Sequence, residues 1–225
     1  MLKPAAHPYL YASAFLLFAL LLSVAVGSVF IPPAALWQVL VSAVTGQPLA
    51  NPQTETFATI LLSLRLPRTI LLMLVGAALS GSGTAYQGLF RNPLADPYLI
   101  GVASGAGLGA VLAMTVRWPY TTLGLLAVPM AAFVSALLTV WVVYMLGRVG
   151  RTLPTTNLIL AGVAVSSFAT AATSFLMINS TGELRRALVW MLGGSTMTGW
   201  QPVLVALPYI VVGLGVLLFM GHSLN

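Results

Sequence analysis

Two arginines, Arg65 and Arg68, stand three residues apart in "SLRLPRTILL", Ser63 to Leu72, against the start of a long apolar run. A guanidinium stays charged and offers five donors in a planar fork, so such a pair suits carboxylate or phosphate recognition. Five hydroxyls form a second group: Ser166, Ser167, Thr170, Thr173 and Ser174. Within it Ser166, Thr170 and Thr173 recur with Met177 at helical spacing, on one face more polar than its neighbours. Two readings of that face stand side by side. Either each hydroxyl donates to the carbonyl one turn back, or the face lines a water-accessible path.

The elements that position these groups follow from composition. Of 225 residues, 59% are hydrophobic and 5% charged, which no water-soluble domain covers with enough polar surface. Six uncharged stretches are long enough to cross a hydrocarbon core, which takes about 20 apolar residues per helix. They run from Tyr9 to Phe30, Thr69 to Phe90, Tyr98 to Val116, Thr121 to Leu146, Leu158 to Ile178 and Pro202 to Gly221. No stretch alternates like a barrel strand, so the fold class is an all-α membrane protein, a polytopic bundle of six transmembrane helices. The first span reads as a retained helix, because its apolar core is too long for a signal peptide and no small-x-small cleavage pattern follows.

The net charge of +6 sits at span ends, where anionic lipid or an acidic partner fits better than nucleic acid. Charge does not orient the chain. With the amino terminus inside, Lys3, Arg91, Arg148 and Arg151 face one side and Arg65, Arg68, Arg117, Arg185 and Arg186 the other, a near-even split.

Absences narrow the chemistry. There is no cysteine, and no Asp, Glu, Lys or Arg lies inside a span, which disfavours a proton-coupled carrier. No phosphate-binding G-x-x-x-x-G-K-[ST] occurs, and neither "GSGTAYQG" nor "GAGLGA" matches the dinucleotide fingerprint, so energy for pumping has to come from a partner. His7 and His222 have no second ligand at i+4, so neither a metal site nor a resident cofactor is expected. Ser104 with His222 supplies the minimal ingredients of an intramembrane serine protease, provided the two come within hydrogen-bond reach beside oxyanion donors. The "VASG" context lacks that family's glycine before the variable position.

Local signals mark the element ends. Pro32 and Pro33 end the first helix, and Ala34 to Val44 forms a short helix at the membrane surface. Pro67 is placed to open the second long helix, which puts Arg65 and Arg68 at the positive end of its dipole, where cations are disfavoured. In "FRNPLADP", Arg91 suits the negative end of that helix, and Asp96 with Pro97 makes an N-cap followed by proline at the first position. Pro154 and Thr155 open helix five. After it, "STGELRRALVWMLGGS" carries a short helical piece ending at Gly193 and Gly194. Gly101, Gly105 and Gly109 repeat every four residues, as do Gly76 and Ser80, a pattern that permits close helix approach in lipid.

The run "LRLPRTILLMLVGAALSGSGTAYQGLFRNPLADPYLIGVASGAGLGA", Leu64 to Ala110, closely resembles permease subunits of bacterial ATP-binding-cassette importers for iron-siderophores, haem and cobalamin. "LPTTNLILAGVAVSS" and "LRRALVWMLGGS" resemble the same family in the expected order. The resemblance implies a single permease domain over residues 1–225, the amino-terminal part of a ten-helix fold, incomplete after its sixth helix. It implies a multi-pass protein of the bacterial inner membrane with a cytoplasmic amino terminus. The implied partners are a second permease subunit, identical or not, two cytoplasmic ATPase subunits, a periplasmic or lipid-anchored binding protein, membrane lipid and a metal-chelate substrate, with no nucleic acid.

In that family the R-L-P-R arginines meet acidic side chains of the binding protein, which carries over to Arg65 and Arg68. The "RNPLADP" and "LPTTN" turns form the inner gate, which carries over to Asn92, Leu94, Thr155 and Thr156. Helix five lines the path, which favours the polar-face reading of Ser166, Thr170 and Thr173. The implied activity is transport by alternating access, with ATP hydrolysed on a separate subunit. The chain itself is then no enzyme. A non-transporting scaffold or degenerate subunit is the alternative. With no His or carboxylate inside a span, the path offers no ligands to a bare transition metal, and a metal enclosed in an organic chelate fits better.

Overall fold

The computed structural model describes residues 6–49, 51–116, 118, 122–179, 184–194 and 199–224. Lys3 and Arg117 lie outside these. The described α-helices are α1 (Ala6–Ala25), α2 (Pro33–Thr45), α3 (Pro52–Thr59), α4 (Leu66–Phe90), α5 (Val102–Met114), α6 (Thr122–Gly147), α7 (Thr155–Asn179), α8 (Leu184–Met191) and α9 (Gln201–Leu224). Among the described residues, five helical stretches are long and apolar enough to cross a membrane: His7–Ala25, Pro52–Phe90, Leu126–Gly147, Thr155–Asn179 and Gln201–Gly221. The all-α membrane architecture follows.

The stretch from Tyr98 to Val116 differs from a single long helix. It forms a 3-10 turn, Pro97–Ile100, then the 13-residue α5. Gly101 separates them with φ 79, a left-handed conformation that a side chain disfavours. At 1.5 Å per residue α5 spans only about 20 Å.

The chain divides into two compact units. The first holds residues 1–78 and 198–213, that is α1, α2, α3 and the first halves of α4 and α9. Its core is Ile31, Val39 and Leu61, all essentially inaccessible. Val39 thus anchors the expected short helix, α2, by one face. Pro33 opens α2, while α1 has already ended at Ala25.

A proline inside a helix removes a donor and presses on the carbonyl four residues back. Here Ile60–Arg65 is π-helical and joins α3 to α4, so one helix runs from Pro52 through Pro67 to Phe90. Pro67 therefore does not open a helix. Arg65 and Arg68 lie within a continuous helix, and the dipole objection to them falls away. In the wider turn the Leu66 N–H goes to the Leu61 carbonyl. Pro67 has no N–H, which deprives the Leu62 carbonyl of its π-helical donor. The Trp200 indole reaches that carbonyl at 3.0 Å.

The second unit holds residues 79–197 and 214–225. Here α5 packs against both α6 and α7, and small residues set how closely. A Cβ on Gly105 would lie 2.6 Å from Thr139 Cβ and 3.1 Å from the Ser135 carbonyl oxygen, closer than side chains pack. Gly109 lies as tightly against Ala131, so the expected close approach along this helix is present. At one end of the unit Ala110, Met114, Val128, Met177 and Ala187 form a buried cluster that seats α8. Its helix ends at Gly193 (φ 86), whose N–H bonds Trp190 at 2.9 Å while Gly194 bonds Val189 at 2.8 Å, the paired terminal bonds of a Schellman motif.

Candidate gate and path residues

At the other end of the second unit, Ile100, Val143 and Leu158 form a buried cluster, with Tyr86 and Phe90 packed on it. The end of α4, the start of α5, the end of α6 and the start of α7 therefore meet there. Asn92 and Leu94 stand two and four residues after Phe90, and Thr155 and Thr156 three and two residues before Leu158. The four gate candidates thus lie on the two connections, 91–96 and 148–156, that adjoin elements meeting at this cluster.

The 91–100 loop is held by its own hydrogen bonds. Arg91 takes a left-handed conformation (φ 48) after α4, with its N–H on Gly88 and that of Asn92 on Gln87, both at 3.2 Å. Asn92 Oδ1 accepts from the Leu94 N–H at 2.9 Å, and the Ala95 N–H returns to the Asn92 carbonyl at 3.0 Å. This turn leaves the Leu94 side chain 84% exposed. Asp96 Oδ1 then accepts from the Tyr98 N–H at 2.7 Å, so the expected N-cap is real, although it opens a 3-10 turn. A Cβ on Gly162 would stand 3.1 Å from Ile100 Cα, so α7 meets the loop backbone directly.

A tight turn precedes α7. Val149 and Thr152 exchange both backbone hydrogen bonds at 3.0 Å, and Gly150 supplies a positive φ of 59. The Leu158 N–H returns to Pro154 at 3.1 Å, which leaves Thr155 and Thr156 exposed in the first turn.

The three path candidates on α7 do not share one environment. Thr173 is buried, and its hydroxyl donates to the Ala169 carbonyl at 2.7 Å. Ser166 is half-buried beside Gly101, whereas Thr170 is exposed. Two exposed hydroxyls belong to the group first noted but not to the chosen face. Ser167 donates to Val163 at 2.8 Å and Ser174 to Thr170 at 3.0 Å. Their seven-residue spacing, two helical turns, was the available signal.

In the first unit the paired arginines have different surroundings. Arg65 is half-buried and reaches back to the end of α1, where Nη1 donates to the Val24 carbonyl at 2.8 Å and the Ala25 carbonyl at 3.2 Å. Its Nη2 donates to Val29. Carbonyls at a helix end lack intrahelical donors, and a cation there is favourable. Arg68 is exposed. Ser104 donates its hydroxyl to the Gly101 carbonyl at 3.0 Å, as a helix-bonded serine does. Among the described residues no three His, Asp or Glu side chains gather into a metal site.

Comparison with known proteins decides the family. Residues 15–225 match the model of the FecCD transport family. The chain belongs to this family. A cobalamin import system permease protein of Halobacterium salinarum is 42% identical over 178 residues, 79% of this chain and 47% of the relative. An ABC transporter permease of Bacillus subtilis, called uncharacterized, is 35% identical over 96% of this chain and 62% of its own length. A hemin transport system permease of Yersinia pestis is 39% identical over 68% of this chain and 47% of that protein. The FecCD chain thus spans about half to three-fifths of the relatives it matches. A solved structure described as an inward-facing metal-chelate type ABC transporter shares the fold, with a TM-score of 0.74 and 24% identity over 98% of this chain and 64% of that one. This FecCD protein is accordingly a multi-pass helical membrane protein of permease fold, in a family of non-enzymatic transport subunits.

Proposed function

We propose that this FecCD chain acts in the bacterial inner membrane, amino terminus in the cytoplasm, as a permease subunit of an ATP-binding-cassette importer for a metal enclosed in an organic chelate: an iron-siderophore, haem or cobalamin. The observation that carries the reading is the match of residues 15–225 to the FecCD transport family. Beside it, α4, α5, α6 and α7 meet at the Ile100, Val143 and Leu158 cluster, next in sequence to Asn92, Leu94, Thr155 and Thr156, where a small relative movement of α4 and α7 opens or closes a passage. Cargo crosses by alternating access along α7, at the interface with a second permease subunit. Two cytoplasmic ATPase subunits drive the cycle. A substrate-binding protein docks on the opposite side, where acidic side chains meet Arg65 and Arg68.

The arginines divide this docking. Arg68 is exposed and supplies a charge that steers a carboxylate. Arg65, tied to the end of α1, supplies a fixed one. The path carries no charge, which suits a cargo whose metal is already coordinated.

The test is reconstitution of the chain with its ATPase and binding protein in vesicles, followed by uptake of labelled siderophore, haem and cobalamin. ATP-dependent accumulation of one of them is expected. Uptake that persists without ATP, or no uptake of any of the three, sinks the reading.

A further inference from the structure

We propose that the cavity between α2 and α3, in the first unit, is a binding site for a neutral sugar ring. The site is separate from the gate and from the path, and the proposal stands whether or not the chain transports.

The cavity has a volume of about 560 Å3, and its lining runs from Trp37 to Thr54. Small-molecule sites have about this size, 300–1,000 Å3, with a few convergent polar groups. Local sequence shapes it. Gly46, at φ 69, ends α2 with its N–H on the Ser42 carbonyl at 2.9 Å. The Ser42 hydroxyl then donates to the Gln47 carbonyl at 2.6 Å, which ties the connection back onto α2. Pro52 opens α3 directly after Asn51, whose side chain caps nothing.

Thr54 marks the cavity as a polar site. The other threonines of α3, Thr56 and Thr59, donate to the carbonyl four residues back at 3.1 Å. Thr54 is only 8% exposed and its hydroxyl has no hydrogen-bond partner among the described residues, yet its oxygen is not sealed from the cavity it lines. A buried hydroxyl without a partner is rare in folded proteins, and one facing a cavity calls for a group that enters it.

The rest of the lining selects that group. No residue of the lining is charged, and Glu55, the nearest acid in sequence, is not among them. An anion needs concentrated donors and a hard cation needs concentrated carboxylates; neither is present. Gln38, Gln47 and Asn51 each offer a donor and an acceptor, and none of the three side-chain amides bonds another described residue. A ligand hydroxyl is likewise both donor and acceptor. Trp37, 70% exposed, adds an indole whose electron-rich face attracts C–H groups. A pyranose carries this pairing, with hydroxyls around its edge and C–H groups on its faces. A hydrocarbon ligand would leave the amides and Thr54 unpaired.

Arg65 grips the end of α1 and so marks the edge of the first span. Thr54 stands earlier on the helix that carries Arg65, about 16 Å along it. Headgroups extend about 5–7 Å beyond the hydrocarbon. The cavity is therefore open to a sugar in solution and to the sugar of a tall glycolipid headgroup, two sources of one chemistry.

The full chain in nanodiscs, free of sugar-based detergent, is tested by saturation-transfer NMR with methyl glucoside and methyl N-acetylglucosaminide, and in a second arm with monoglucosyldiacylglycerol in the disc. Transfer to the ring C–H protons is expected. A signal from the free glycosides assigns a dissolved sugar, and one from the lipid arm alone assigns a headgroup. W37A and T54V should each weaken apparent affinity at least about tenfold, while W141A, which removes an exposed tryptophan of α6, leaves it unchanged. Thermal melting of W37A and T54V within a few degrees of the parent shows that the fold survives. Absence of transfer in both arms overturns the proposal, as does parental affinity in either variant. Weaker association of the binding protein with W37A, in the absence of any sugar signal, assigns the cavity to protein contact and also overturns it.

Discussion

The indole N–H of Trp200 donates to the carbonyl of Leu62 at 3.0 Å, across 138 residues of sequence. That carbonyl is left over by the π-helical turn ahead of Pro67, and the tryptophan satisfies it. Replacing Trp200 by Phe keeps most of the ring and removes the donor, at an expected cost of about 1–3 kcal/mol for the unpaired acceptor. Pro67→Ala restores an N–H to the helix and should offset part of that loss. Thermal unfolding of both single variants and the double variant in detergent measures the coupling. Strict additivity argues against the link.

Arg65 holds the end of α1 through three backbone carbonyls, and its guanidinium fills the space in which a Gly27 side chain would begin: a Cβ there would lie 2.6 Å from Nη2. Gly27→Val and Arg65→Ala should each destabilise the first unit, and the double variant should cost less than their sum. Charge-assisted bonds of this kind are worth about 1.5–3 kcal/mol each. Arg65→Lys, with a point charge in place of the fork, should recover only part of the loss. A lysine variant as stable as the parent counts against the clamp.

Docking should depend on Arg68 through its charge. Arg68→Glu is expected to slow association with the binding protein and flatten its salt dependence, while the amount of chain inserted in the membrane stays unchanged. Association rates measured across a salt series check this. An unaltered salt slope removes Arg68 from the docking surface.

Bulk at the gate should block passage without touching docking. Thr155→Trp or Thr156→Trp places a large ring in an exposed first turn of α7, where no packing is displaced. Chelate uptake should fall severely and binding-protein affinity should hold. Undiminished uptake in both variants argues against the assignment.

Glycines at different positions along the helices should respond in opposite ways. Gly162→Ala drives a methyl group into the backbone of Leu99 and Ile100 and should cost about 1–3 kcal/mol by overpacking. Gly76→Ala meets nothing within 4 Å and should be neutral or slightly stabilising, since alanine is the better helix former. Melting temperatures of the two variants separate the cases.

Local signals carried much of the fold. Apolar stretches of membrane length, the Asp96 and Pro97 cap, the Gly193 and Gly194 helix end and the small residues of α5 were all legible, because each depends on neighbours within a turn or two. The family likeness of the 64–110 run and of "LPTTN" supplied the gate candidates. Other features needed the tertiary structure. A proline at the head of a long apolar run reads as a helix start, and only the turn that widens ahead of Pro67, with Trp200 at its spare carbonyl, lets the helix pass through. Arg65 reads as a free surface charge until its carbonyl partners, some forty residues earlier, are in place. The face of α7 was the least legible. In a soluble protein apolar residues mark the inward side, but lipid is as apolar as a protein interior. Sequence therefore set α7 as a membrane helix with five hydroxyls, and packing against α5 and α6 decided that Thr173 turns inward while Ser167 and Ser174 face out.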